Sequence, residues 1–217
     1  MDFALLKVGT IQKKFTLLGI NGIRNRVAGR LKIANMNILV TKSTLILHYS
    51  HLTTISSVIM KHWDRYLAVM ARKSLLTCSR TPKSVCNYIC NAEWYVYPIR
   101  TWYSEMNNRG PKRPKSIADL KQQLNIYDHF PQLIWPTAEF VGCAAARLKP
   151  GYLMSCFYHP AFNITQFDES FIEGVPCTEC SEARSTCSRI FRKLCGLGKV
   201  PIYYCKYFHA HNIIHDL

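Results

Sequence analysis

Asp128-His129-Phe130-Pro131-Gln132-Leu133-Ile134-Trp135-Pro136-Thr137 and, further on, Leu153-Met154-Ser155-Cys156-Phe157-Tyr158-His159-Pro160-Ala161-Phe162-Asn163-Ile164 are the stretches on which the fold turns. Phe130 to Trp135, Phe140 to Ala146 and Tyr152 to Tyr158 are short apolar segments of strand length, bounded by turn-forming residues. Lys149-Pro150-Gly151 supplies a turn between the last two, which predicts a hairpin with Cys143 and Cys156 on facing strands. Neighbouring antiparallel strands bring such Cα atoms within bridging range, so a Cys143–Cys156 disulfide is expected.

Upstream, the apolar period lengthens from two to about three and a half. Ile23, Val27, Leu31 and Met36 predict a helix over Asn21 to Leu39, with arginines on its other face. Trp63, Leu67, Met70 and Leu75 predict a second over Trp63 to Cys78, with Asp64 at its positive end and Arg72 and Lys73 toward the other. Trp94, Tyr95, Ile99, Trp102 and Met106 predict a third over Ala92 to Asn108, in which Pro98 marks either a kink or the true start. Val40 to His62 has mixed patterning and fits a strand pair or a loop, and Lys112 to Asn125 is polar and lysine-rich.

The chain has 217 residues and 48% hydrophobic composition, enough for one α/β domain with a packed core. Lys and Arg outnumber Asp and Glu by 28 to 13, a net charge of +15 that favours anionic company. No zinc-finger spacing or basic stripe interleaved with aromatics appears, so no specific nucleic-acid partner is expected. No stretch reaches the roughly 18 apolar residues of a membrane span. Met1 to Ile20 is interrupted by Lys7, Lys13 and Lys14 and shows no clean signal-peptide core. All ten cysteines lie at or after position 78 and crowd toward the end, which favours a disulfide framework. The competing reading is a zinc cage of Cys177, Cys180, Cys187 and Cys195, part of a basic nucleic-acid-binding module.

Residues 128–137 resemble the first signature of the CAP superfamily, the group of cysteine-rich secretory proteins, antigen 5 and plant pathogenesis-related proteins, with Pro131 out of pattern. Residues 153–164 resemble the second, with Cys156, Tyr158, Pro160 and Asn163 in register and Phe157 and Phe162 departing from it. Val141-Gly142-Cys143, Trp102-Tyr103-Ser104-Glu105, Trp63-Asp64, Arg24-Asn25-Arg26-Val27-Ala28 and Ala34-Asn35-Met36 add to the likeness. Gly174-Val175-Pro176-Cys177-Thr178-Glu179-Cys180, followed by Cys187 and Cys195, resembles the arthropod antigen 5 branch. The resemblance implies a three-layer α-β-α sandwich: an antiparallel sheet built from the segments around Phe130, Val141 and Leu153, covered by helices on both faces, with a cysteine-rich C-terminal tail. It also implies an organisation: an irregular N-terminus over 1–20, a CAP-like domain over 21–175 with an insertion at 40–62, a stapled tail over 176–205, and an extension over 206–217. The tail cysteines are expected to pair among themselves or with the cysteines near residue 90.

The family's cleft gathers two His and two Glu able to hold a divalent metal, of which Glu105 and His129 carry over. Between Cys78 and Cys86, where the first His would fall, this chain reads Ser-Arg-Thr-Pro-Lys-Ser-Val, and no Gly-Glu-Asn follows Cys86. Two ligands fall short of the three that catalytic zinc normally takes from protein. Glu105 and His129 are therefore expected to form a hydrogen-bonded pair, a helix end against a strand start, with at best weak divalent metal binding, no cofactor and no catalysis. The resemblance implies a secreted, monomeric protein that binds a lipid, a sterol or an extracellular protein receptor; the alternative is a metal-dependent hydrolase using Glu105 and His129. Asn163-Ile164-Thr165 is a sequon for N-glycosylation in a secretory compartment, although the place of Asn163 in the second signature predicts that its side chain fixes a turn. His209, His211 and His215 lie outside the resemblance and read as a solvated tail.

Overall fold

A computed structural model describes residues 3–39, 64–80, 88–89, 95–148, 151–184 and 186–196. The insertion at 40–62, the turn residues 149 and 150, Cys86, Cys90, Cys205 and the three C-terminal histidines lie outside them. The chain divides into two compact units, one of Met1–Leu17, Leu39–Ile99 and Glu139–Pro160, the other of Leu18–Ile38, Arg100–Ala138 and Ala161–Leu217.

Among the described residues the first unit is built on a four-stranded antiparallel sheet in the order β1-β3-β4-β2, where β1 is Phe3–Leu6, β2 Tyr88–Ile89, β3 Phe140–Leu148 and β4 Gly151–His159. β3 and β4 pair along their full length, with Cys143 directly opposite Cys156 and bonded to it. Helix α2, Arg65–Arg80, lies on one face. Its start is fixed by Asp64, whose Oδ1 accepts the Leu67 N–H at 2.9 Å. The alternation of β3 explains the close fit: Gly142, Ala144 and Ala146 share the face toward α2, and Ala71, Leu75, Ala144, Ala146 and Leu153 form one buried cluster. A Cβ built at Gly142 would stand 2.6 Å from Leu67 Cβ and 2.7 Å from the Asp64 carbonyl, so only glycine admits the helix there. Of the layers expected, the sheet and α2 are packed face to face within this unit.

Helix α1 spans Thr10–Leu31 rather than 21–39, and Ile23, Val27 and Leu31 are buried on it as their spacing predicts. It stops because Lys32 takes a left-handed φ of 52° while Ile33 N–H reaches back to the Ala28 carbonyl at 2.9 Å, a Schellman-type end. Met36 is buried from a non-helical segment. Residues 1–20 are thus not irregular among those described, since they supply β1 and the first half of α1. Helix α3, Tyr97–Asn108, begins with Pro98 in its first turn, where a missing N–H costs nothing, and buries Ile99, Trp102, Tyr103 and Met106.

In the second unit, the lysine-rich stretch contains helix α4, Ile117–Gln122, capped by Ser116, whose Oγ accepts the Asp119 N–H at 3.1 Å. Phe130–Leu133 is not a strand of the sheet but a single helical turn, α5, with Pro131 at its start. Proline suits a helical first turn and removes a donor that a strand would need. Trp135 sits at the centre of an aromatic cluster, edge-on to Phe162 at 5.1 Å and to Phe171 at 5.5 Å. Phe171 in turn stacks on Phe167 of helix α6, Phe167–Ser170, at 4.4 Å.

The tail is more than an appendage. Cys177 is bonded to Cys187 and Cys180 to Cys195, so the four sulfurs are spent in two disulfides and form no zinc cage. Strands β5, Thr186–Cys187, and β6, Cys195–Gly196, pair with each other. Cys195 then bridges Asn37 in parallel: its N–H donates to the Met36 carbonyl and its carbonyl accepts from Ile38 N–H, both at 2.8 Å. Phe191, Leu194 and Cys195 are buried, which makes this segment part of the second unit's core. Helices with an antiparallel sheet and a disulfide-bonded C-terminal region are thus the observed class, as the sequence led us to expect.

Candidate functional site

The site is assembled in the second unit around one carboxylate. Glu105 lies near the end of α3 on its inward side and is 5% exposed. Its Oε2 accepts three backbone N–H groups, from Asp128 at 3.1 Å, His129 at 2.9 Å and Phe130 at 3.0 Å. Its Oε1 meets His129 Nδ1 at 2.7 Å. The donors cluster because the chain turns into α5 at His129, and the first turn of a helix leaves N–H groups without partners inside the helix. Glu105 satisfies them from another element, and the positive end of a helical turn is a favourable place for a negative charge.

Burial pushes the Glu105 carboxyl upward, but the His129 ring, the His129 and Phe130 N–H groups and the positive charge available to His129 outweigh it. The net result holds the carboxyl below its ordinary value. Glu105 is therefore a carboxylate at neutral pH. With Nδ1 given to Glu105, His129 presents Nε2 as its other nitrogen, and the ring is fixed by stacking on Trp102 at 5.4 Å with planes 9° apart.

Asp128, Glu105 and His129 are the group of metal-ligating side chains that the described residues bring together, with ligand atoms all within 4.8 Å of one another. Asp128 stood in the quoted motif but was not singled out; a carboxylate next to the histidine was the available signal. These donors fit a bound ion poorly. Both oxygens of Glu105 are already accepting hydrogen bonds, and Asp128 is ion-paired with Arg109 on the exposed surface. That pairing also holds the Arg109 guanidinium more firmly protonated. An ion would have to displace these partners. Of the expected pair, the structure brings Glu105 and His129 together, but His129 opens a helical turn and not a strand.

Sequence reasoning missed Arg24, which it placed on the outer face of its helix. Arg24 is fully buried, and its guanidinium donates to the carbonyls of Asn37, Leu133, Trp135, Pro136 and Ala138 at 2.7 to 3.4 Å. A buried cation is tolerated when all its donors find acceptors, and the planar fork of arginine can serve several carbonyls at once. It ties the chain leaving α5 to the segment that follows α1. Nothing in the periodicity distinguishes this arginine from Arg26, which is exposed.

An antiparallel sheet under a helix, a carboxylate–imidazole pair and a disulfide-tied tail define the class. Residues 57–158 match the sequence profile of the Cysteine-rich secretory protein family, CAP, and the chain carries a domain of this family. Cysteine-rich secretory protein 1 of Macaca mulatta is 29% identical over 113 residues, covering 46% of this chain and 43% of that protein. Cysteine-rich secretory protein 3 of Equus caballus is 25% identical over 147 residues, covering 58% and 56%. The chain spans about half the length of the curated relatives it matches. In fold it is similar to the crystal structure of a hookworm platelet inhibitor, with a TM-score of 0.51 at 21% identity over 88% of this chain and 92% of that one. No helix among the described residues is long and apolar enough to cross a membrane.

Proposed function

We propose that this chain is an extracellular, antigen 5-like CAP protein that acts by binding a lipid, a sterol or a protein receptor, and not as an enzyme. The observation that carries this reading is the saturation of Glu105: one oxygen accepts three backbone N–H groups and the other the imidazole. A catalytic carboxylate or ligand needs a lone pair directed at substrate or metal, whereas this one braces the turn at residues 128–130. The tail from Gly174 to Cys180, with its two disulfides, supports the antigen 5 branch and an oxidising compartment.

The test uses the purified, disulfide-bonded protein and its His129→Ala variant, assayed by zinc calorimetry, by hydrolysis of peptide and ester substrates, and by sterol and phospholipid binding. The expected result is no turnover, weak zinc binding and saturable uptake of a sterol or lipid that His129→Ala leaves intact. Turnover or tight zinc binding lost in His129→Ala would overturn the reading in favour of the hydrolase.

A further inference from the structure

We propose that Asn163 is an N-glycosylation site, and that it serves as the cap of its turn and as the carrier of a glycan at the same time. Asn163-Ile164-Thr165 is the one Asn-X-Ser/Thr triplet in the sequence, and it is followed by Gln166 and not by proline. The inference rests on the extracellular reading above, because the modification is made only in a secretory lumen.

The two roles compete in principle, since the side chain of a turn-fixing asparagine is already in use. The structure shows how they divide between its two polar atoms. Asn163 caps the short 3-10 turn Ile164–Gln166 from an extended conformation, and its Oδ1 accepts both Thr165 N–H, at 3.1 Å, and Thr165 Oγ1–H, at 2.8 Å. Both contacts use the carbonyl oxygen, and Nδ2 takes no part in them. Attaching a sugar to Nδ2 turns a primary amide into a secondary one and leaves Oδ1 as good an acceptor as before. The cap therefore survives the modification.

Access is equally favourable. Asn163, Ile164 and Thr165 are all exposed, Ile164 at 60%. The turn is anchored on either side by buried contacts: Phe162 N–H donates to Gln132 Oε1 at 2.8 Å and its ring packs on Trp135, and Phe167 is 1% exposed. The sequon thus stands clear of the core on a fixed base, and a glycan there would shield the apolar Ile164 beside it.

The step balances as a substitution at the anomeric carbon of a lipid-pyrophosphate-linked oligosaccharide. The Asn163 Nδ2–C1 bond forms, the C1–O bond to the pyrophosphate breaks, a proton leaves Nδ2, and the lipid pyrophosphate departs. Nothing is oxidised or reduced.

The full chain is to be translated behind a heterologous signal peptide in the presence of microsomes, and only the protease-protected product scored. The expected result is one glycan, removed by peptide N-glycosidase with Asn163 then read as Asp by mass spectrometry. It should be absent in Asn163→Gln and Thr165→Ala and retained in Thr165→Ser. A protected parent chain that carries no glycan overturns the proposal. The extracellular reading is judged separately, by whether the chain is exported from its own cells, so failure of one does not pass for failure of the other.

Discussion

Replacing Glu105 by Gln removes one charge from the site while keeping its shape. The side-chain oxygen can still accept the N–H groups of Asp128, His129 and Phe130, and the amide NH2 then faces His129 Nδ1 and selects the tautomer with its proton on Nε2. Charge-assisted hydrogen bonds are about twice as strong as neutral ones, so three of them lose about 1 kcal/mol each. Relief of the burial cost returns part of this, about 1 kcal/mol, leaving a net loss of about 2 kcal/mol. For a chain of this size that is a fall of about 4–8 °C in melting temperature. Glu105→Ala should cost more, because three N–H groups lose their acceptor, and the one on buried Phe130 alone costs about 1–3 kcal/mol when left unpaired. The sign with pH follows from the lowered carboxyl value: the contribution of Glu105 is fully present above the unfolded carboxyl pKa and is lost as pH falls through the lower folded one. Thermal melts of parent and Glu105→Gln from neutral to strongly acidic pH should therefore start apart and converge. Equal stability at neutral pH, or a gap that stays constant into acid, would refute the view of Glu105 as a charged brace.

Arg24→Lys keeps the charge but puts its three donors on one nitrogen, which cannot reach all the carbonyls that the planar fork spans; Trp135 and Pro136 keep the N–H groups of Ala138 and Asn37, so the expected cost is at least one unpaired carbonyl, about 1–3 kcal/mol, read by chemical denaturation. Gly142→Ala should cost about 3 kcal/mol, the upper end of overpacking, because the new methyl meets the backbone of α2; a neutral result in a melt would show that the helix can move off the sheet. The Cys143→Ala/Cys156→Ala double variant should unfold about 3 kcal/mol more easily than the parent, the closure entropy of a loop whose ends are 13 positions apart in sequence, as measured by denaturant titration without reductant.

The family likeness of the domain, the hairpin at 140–159, the facing of Cys143 and Cys156, the place of Asp64 at the positive end of α2 and the meeting of Glu105 with His129 are legible in residues and motifs alone. These rest on local period, on turn and capping chemistry, or on motifs whose residue types are fixed by what they do. Contacts distant in sequence alone make Phe3–Leu6 a strand beside β3, wind residues 130–133 into a helical turn and set Cys195 against Asn37. Each depends on a partner far away in the chain, and four-residue apolar segments carry no period that tells strand from helix. The same limit hid the burial of Arg24. Its cost is met by five carbonyls, four of them more than a hundred positions away, and backbone acceptors leave no trace in residue type.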